Sequence, residues 1–417
     1  MRTVELQMRR DETGEYKIGR GHLSGIRRNG ASASAIAMAK RLGLRYVAAD
    51  GLSIRRRRAG KGWSYIGTNG HPIADPKVVR RLTRLAVPPA YRDVLYATDP
   101  AAHLQAIGRD AAGRLQYRYH PRWEDVRESR KARRLARLAQ ALPQVRRSLG
   151  QYLAGSELTR EFACAAVIEL VSCSAIRAGT EDYNRLHGTR GAATLLKSNV
   201  SMYGRDITLR FRSKGGKIVT KEFAAPRLVK AIQLLRQLPG RRLFQYCTES
   251  ITVRSVTARE VNAFLREIAG AKISLKDFRT LMASASVLEA LARIKPAANA
   301  RARRRQVLEA ISAAAKDLAN TPAICRKSYV HDTVVTAFEQ GILQRFSRKL
   351  KNSPSPTRLA KVLAQIVADQ SIERSWLRAS HAERRQSTGW TLWAQRKPCC
   401  PVVSRSRRSV PDPLETR

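Results

Sequence analysis

The chain runs to 417 residues and carries 79 Lys and Arg against 33 Asp and Glu, a formal charge of +46 at pH 7. Hydrophobic residues make up 43% of it, enough to bury real cores, so wholesale disorder is excluded, and no apolar run reaches the roughly 18–20 residues of a bilayer span. Charge of this size on folded domains calls for a polyanionic partner, and a nucleic acid fits better than an anionic membrane surface, since no long segment pairs a Lys-rich face with an aromatic-rich one.

At roughly 150 residues per domain the length predicts two or three domains. The opening stretch, MRTVELQMRRDETG, has no apolar core behind its charges and does not read as a secretory signal. Residues 1–42 are basic and rich in Gly, Ser and Ala, the composition of a flexible leader with a short helix near Ala35–Leu42. Over 43–122 the texture is short β-like runs broken by turn signals: RYVAADG, GWSYIGTNGHPI, DVLYATDP and HLQAIGRDAAGRLQYRYH. Asn69-Gly70 is a tight-turn dipeptide, and Pro72 makes the strand after it short or an edge. This predicts a small β-rich domain.

From about Val126 the period becomes helical. SRKARRLARLAQAL reads as a basic amphipathic helix, and TREFACAAVIELVSCSAIR repeats apolar residues at helical spacing. ITLRFRSKGGKIVTKEF has two β-like arms around Gly215-Gly216, a hairpin signal. Thr257 and Glu260 form a capping box for a helix that stops at Gly270, Ser274 caps KDFRTLMASASVLEALARI, and RRRQVLEAISAAAKDLAN runs to Asn320 ahead of Pro322. The predicted fold class is therefore α+β, a small β-rich N-terminal domain followed by a larger, mainly α-helical domain over 123–348. Residues 349–417 read as a basic, mostly irregular tail.

The six cysteines form no C-x-x-C pair, the histidines no H-E-x-x-H helix, and there is no G-x-x-x-x-G-K-[ST] loop. The expected chemistry runs without metal, nucleotide or other cofactor. Four separated segments put a polar group in an unusual setting. They are Arg177 at the end of an apolar helix, Lys214 at the hairpin tip, Lys276-Asp277-Phe278-Arg279, and the run from Asn320-Thr321-Pro322 through Arg326 to Tyr329.

This order resembles the type IB DNA topoisomerases, specifically their poxvirus-like bacterial branch, and GRDAAGRLQYRYHPRW resembles that family's DNA-clamping domain. The resemblance covers about Leu44 to Phe346. It implies the tyrosine recombinase/type IB topoisomerase fold for the helical domain, and relaxation of supercoiled duplex DNA without ATP. Tyr329 would attack a phosphodiester to form a 3′-phosphotyrosyl link; its free pKa near 10 lets it ionise and leave more readily than serine. Arg177 and Arg279 would hold the non-bridging oxygens with a planar, permanently charged fork. Lys214 would protonate the departing 5′-oxygen, with Lys217 as its rival at the hairpin, and Asn320 would stabilise charge through a neutral hydrogen bond. Gln116, Tyr117, Tyr119 and Tyr183 would contact DNA, and Lys276 would assist proton transfer or touch phosphate. Alternation along an extended Gln116–Tyr119 puts the two tyrosines on one face and Gln116 with Arg118 on the other. Leu281 and Met282 depart from the expected aromatic and small residues, and Ser172-Cys173-Ser174 interrupts the apolar approach to Arg177. The resemblance further implies a monomer clamping one duplex, cytoplasmic and associated with the nucleoid.

Singly, these residues have ordinary structural readings: a packed phenol, a helix-terminal cation, a solvated turn lysine, a helix C-terminal amide. The runs Arg55–Arg58 and Arg301–Arg305 read as solvated faces or loose phosphate contacts. Two other functions fit the same residues. A tyrosine recombinase shares the chemistry, though it usually carries His where Lys276 stands and a helical rather than β-rich N-terminal domain. A non-enzymatic DNA-binding relative would bind in a salt-sensitive way and form no covalent adduct.

Overall fold

Five short runs, β1 (Ile54–Ala59), β2 (Gly62–Ile66), β3 (Arg92–Tyr96), β4 (Leu104–Arg109) and β5 (Leu115–Tyr119), pair antiparallel in the order β2-β1-β3-β4-β5. The structure is a computed structural model that describes residues 33–60, 62–347 and 360–366. Ile54, Tyr65, Val94, Tyr96 and Ala106 turn inward and pack against Leu82. Leu82 belongs to α2 (Pro76–Arg84), which starts where the Asp75 carboxylate accepts the Lys77 N–H at 2.8 Å and Pro76 takes the first turn. The β4–β5 hairpin closes at Asp110, whose carboxylate accepts the N–H groups of Ala112 and Arg114 at 3.0 and 2.9 Å.

Three readings of this region need correcting. RYVAADG is not a strand: Arg45 makes one isolated bridge to Ala102, and Ala49–Gly51 is a 3-10 turn. The Arg55–Arg58 run is β1, with Arg55, Arg57 and Arg58 exposed as a solvated face, but Arg56 is structural, donating to the carbonyls of Val87, Pro88 and Tyr91 at 3.0, 2.8 and 2.7 Å and lying 4.0 Å over Trp63. α2 lies where no element was expected. Its cap and its Val78, Val79, Leu82 spacing were visible, but the surrounding turn residues drew the eye to strands.

α1 (Ala33–Arg41) buries Ala35 and Ala39 against Leu44, Trp123 and Val126. Trp123 opens α3 (Trp123–Tyr152), a 30-residue helix leading from the sheet into the helical part. There α4 (Arg160–Ser174), capped by Thr159, is apolar all round and buried from Phe162 to Val171, as a central helix must be. Around it lie α5 (Glu181–His187), α6 (Pro226–Leu235), α7 (Ala258–Ala269), α8 (Leu275–Ala292), α9 (Ala300–Asp317), α10 (Pro322–Ser328) and α11 (Asp332–Glu339). β6 (Val200–Tyr203), β7 (Asp206–Arg212) and β8 (Ile218–Ala224) form a three-stranded antiparallel sheet, and β9 (Gln245–Cys247) pairs with β10 (Val253–Ser255). The capping box Thr257–Glu260 is present at α7, and a second, Ser274–Asp277, starts α8. α9 stops at Asp317, short of Asn320. Residues 360–366, expected within an irregular tail, are helical, with Ala360, Val362, Leu363 and Ile366 buried. Most of the leader and the rest of the tail lie outside the described residues. No helix among the described residues is long and apolar enough to cross a membrane. The architecture is mixed helix and antiparallel sheet.

Candidate active site

α4 ends at Ala175, whose φ of 53° turns the chain out of the helix two residues before Arg177. The loop that follows lies flat against residues 191–194. The carbonyls of Arg177 and Ala178 accept the N–H groups of Ala192 and Ala193, both at 2.8 Å. Gly179, at φ +78°, and Gly191 meet with no room between them: a Cβ on Gly179 would come within 2.8 Å of the Gly191 backbone, and one on Gly191 would strike the Arg177 carbonyl. The Arg177 side chain donates to the Asn320 Oδ1 at 2.5 Å. Asn320 sits beyond the end of α9, after Ala319 at φ 49°, and its N–H bonds the Ala315 carbonyl at 2.9 Å. Its Nδ2 is buried without a hydrogen-bond partner among the described residues.

Arg279 projects from α8 and is only 3% exposed. Its guanidinium donates to the carbonyls of Ala175 and, at 3.2 Å, Leu318, the ends of α4 and α9. Burial lowers its pKa below the ordinary arginine value, against the pull of Tyr329. Lys276 stands one turn earlier. Desolvation of its ammonium lowers it below the ordinary lysine value, opposed by Tyr329 and Asp277, although the residue as a whole stays exposed.

Tyr329 caps the C-terminus of α10 and is buried. The Arg279 guanidinium lies 4.9 Å from its ring centre and the Lys276 Nζ 5.9 Å. Burial alone would raise the phenol. Arg279, then Arg177 and Lys276, outweigh it and leave Tyr329 below its usual pKa of 10.0. Four of the five residues singled out as catalytic, Tyr329, Arg177, Arg279 and Asn320, are thus assembled from α10, the α4 exit, α8 and the α9 exit, with Lys276 beside them.

The fifth, Lys214, is in the turn between β7 and β8, closed by Ser213 N–H to the Lys217 carbonyl at 2.7 Å, with Gly215 and Gly216 at φ 82° and 78°. It is exposed, and its Nζ lies 5.3 Å over the ring of Tyr183 on α5. The hairpin base does reach the arginines: Phe211, Ser213, Val219 and Lys221 line a small cleft shared with Arg177 and Arg279. Lys221, which the sequence reading did not single out, also lies 4.0 Å from the Asp317 carboxylate.

In the β-rich part, Tyr117 and Tyr119 share one face of β5, their rings 6.1 Å apart and within 17° of parallel. Tyr119 stacks in turn on Trp123 at 6.2 Å, with Arg127 5.9 Å above it. Gln116 faces the other way and donates to Asp110 at 2.9 Å, and Arg118 donates to the Ala86 carbonyl. Behind this ladder His103 stacks on Tyr46 at 4.2 Å and accepts the Val47 N–H; burial pushes it down to about 4, so it stays neutral.

Residues 121–353 match the family described as eukaryotic DNA topoisomerase I, catalytic core, and residues 62–110 match the bacterial DNA topoisomerase IB N-terminal domain. The chain is also 27% identical over 293 residues to the DNA topoisomerase 1B of Acanthamoeba polyphaga mimivirus, spanning 69% of this chain and 87% of the viral protein. The catalytic-core match takes in more than half of the chain and contains every member of the cation cage and the phenol within it. By these matches the chain belongs to the type IB DNA topoisomerases.

Proposed function

We propose that this type IB topoisomerase relaxes supercoiled duplex DNA through Tyr329. The observation that carries the reading is the buried Tyr329 phenol held below its usual pKa by Arg279 in a pocket of fixed positive charge. The phenol, on ionising, forms a bond to a backbone phosphorus as the bond to the 5′-oxygen breaks, and that oxygen takes its proton from Lys214. Arg177 and Arg279 carry the charge that builds on the non-bridging oxygens. Asn320 adds an uncharged donor, and the unpartnered Nδ2 supports that part of the reading. Lys276 assists the phenol. The reversal of the same two bonds reseals the strand after rotation, so phosphoester is exchanged for phosphoester and no nucleotide is consumed.

Residues 43–122 act as the DNA clamp, with Gln116, Tyr117 and Tyr119 at the duplex, and 123–348 as the catalytic domain, with Tyr183 also at DNA. In this reading Lys214 leaves the Tyr183 ring and enters the groove when duplex is bound. The enzyme works as a monomer around one duplex, in the cytoplasm and on the nucleoid. Supercoiled plasmid with EDTA and no ATP is relaxed by the parent chain, and a protein–DNA adduct is trapped by denaturant on a nicked suicide duplex. Tyr329→Phe abolishes both. Persistence of the adduct in that variant sinks the assignment, and salt-sensitive binding with no adduct from the parent chain would make it a binding relative only.

A further inference from the structure

Tyr329 closes a helix of seven residues, so little regular structure fixes its backbone. Partners come instead from two distant helices. Ser284 of α8, 0% exposed, donates from its Oγ to the Tyr329 carbonyl at 2.9 Å and accepts the His331 N–H at 3.1 Å, bridging the residues on either side of Val330. Lys131 of α3, its side chain only 11% exposed, donates to the Val330 carbonyl at 2.9 Å, the Lys327 carbonyl at 3.3 Å and the Glu128 carboxylate at 2.5 Å. The Glu128 carboxylate in turn accepts the Asp332 N–H at 3.3 Å.

An ammonium has three donors, and here each has a partner. Taking such a pair out of water costs several kcal/mol, and an apolar side chain of the same length would fill the space without that cost. Two of the three bonds go to main-chain carbonyls flanking the phenol, which is where a charged side chain is useful for placing a backbone.

We propose that Lys131 and Ser284 are positioning residues for cleavage, pinning the main chain on both sides of Tyr329 so that the phenol oxygen is held at the phosphorus. This rests on Tyr329 being the nucleophile. The full chain is tested on a suicide duplex under single-turnover conditions, with duplex affinity measured in a Tyr329→Phe background. Lys131→Met and Ser284→Ala slow adduct formation at saturating DNA by roughly 10- to 100-fold, the scale of about 1 Å of misplacement. Affinity holds within about twofold, and the pH profile of the remaining cleavage keeps its shape because Arg279, Arg177 and Lys276, the charges that lower the phenol, are untouched. Lys131→Arg, whose fork reaches both carbonyls, recovers the rate to within about threefold of the parent. Parent-like cleavage by Lys131→Met overturns the proposal, as does a rate loss that tracks the loss of affinity or that Lys131→Arg does not recover. Should Lys131→Met fail to fold, Ser284→Ala decides alone by the same split. An adduct from Tyr329→Phe would instead remove the nucleophile assignment on which this rests, an outcome separable from the others.

Discussion

The aromatic face of β5 and the cation pocket of the helical domain solve opposite problems. On β5 the rings are exposed, 44% for Tyr117 and 39% for Tyr119, and are kept in order by stacking on each other and on Trp123. In the pocket Arg279 is buried and Arg177 half-buried, and the two are kept in order by main-chain carbonyls and one amide. Stacked rings on an open face offer a broad apolar and polar surface, which on the proposed reading meets the duplex. Caged guanidiniums offer a fixed field at one atom. The difference teaches that an open aromatic face and a caged field of charge are built by different means within one chain, and, on the proposed reading, that losing one should leave the function of the other measurable.

The sharpest break of that comparison is Arg279→Ala. On the proposed reading it lowers the cleavage rate constant by roughly 10²–10³-fold, as for loss of a transition-state donor, and Arg177→Ala does the same, while duplex affinity measured by filter binding changes far less. Equal losses in both readouts would erase the distinction. Tyr117→Ala and Tyr119→Ala should do the reverse, weakening duplex affinity by roughly 5- to 10-fold each, with the first-order cleavage constant at saturating DNA retained. A smaller effect sharpens the pocket side. Cleavage should rise with pH through a phenol pKa lying below 10.0, since phenolate is the attacking species and accumulates above that pKa. Arg279→Gln removes the largest opposing charge and moves that rise to higher pH. A stopped-flow or quench series from pH 6 to 10 reads it, and an unmoved profile would mean that Arg279 does not tune the phenol.

The two regions also differ in how far the sequence discloses them. Alternation alone put Tyr117 and Tyr119 on one face of a strand, and the Thr257 and Ser274 caps announced α7 and α8, because these signals are local. Arg279 was legible only through the resemblance: by itself a buried guanidinium on α8 looks like any helical arginine, and what makes it a pocket residue is the meeting of the α4 and α9 exits at its head. Lys131 was not legible at all. Its partner carbonyl at Val330 lies 199 residues away, and nothing in a basic helix marks one lysine as turned inward. In the Arg55–Arg58 run charge density suggested solvent, which holds for the exposed Arg55, Arg57 and Arg58, while Trp63 and the Val87–Tyr91 carbonyls gave Arg56 a place in the sheet. Leu281, a departure from the expected aromatic, is buried on α8 and lines a cavity with Leu142, Val145, Leu149 and Phe278 that takes in none of the candidate site residues.

The touching backbones at Gly179 and Gly191 carry a last consequence. A single methyl group at either position would have to push the strap bearing Arg177 away from its neighbour, and Arg177 would carry Asn320 with it through their shared hydrogen bond. On the proposed reading alanine there would act at a distance, blunting the enzyme without altering any group assigned to the phosphate, and two absent side chains are as much a part of the candidate site as the ones that are present.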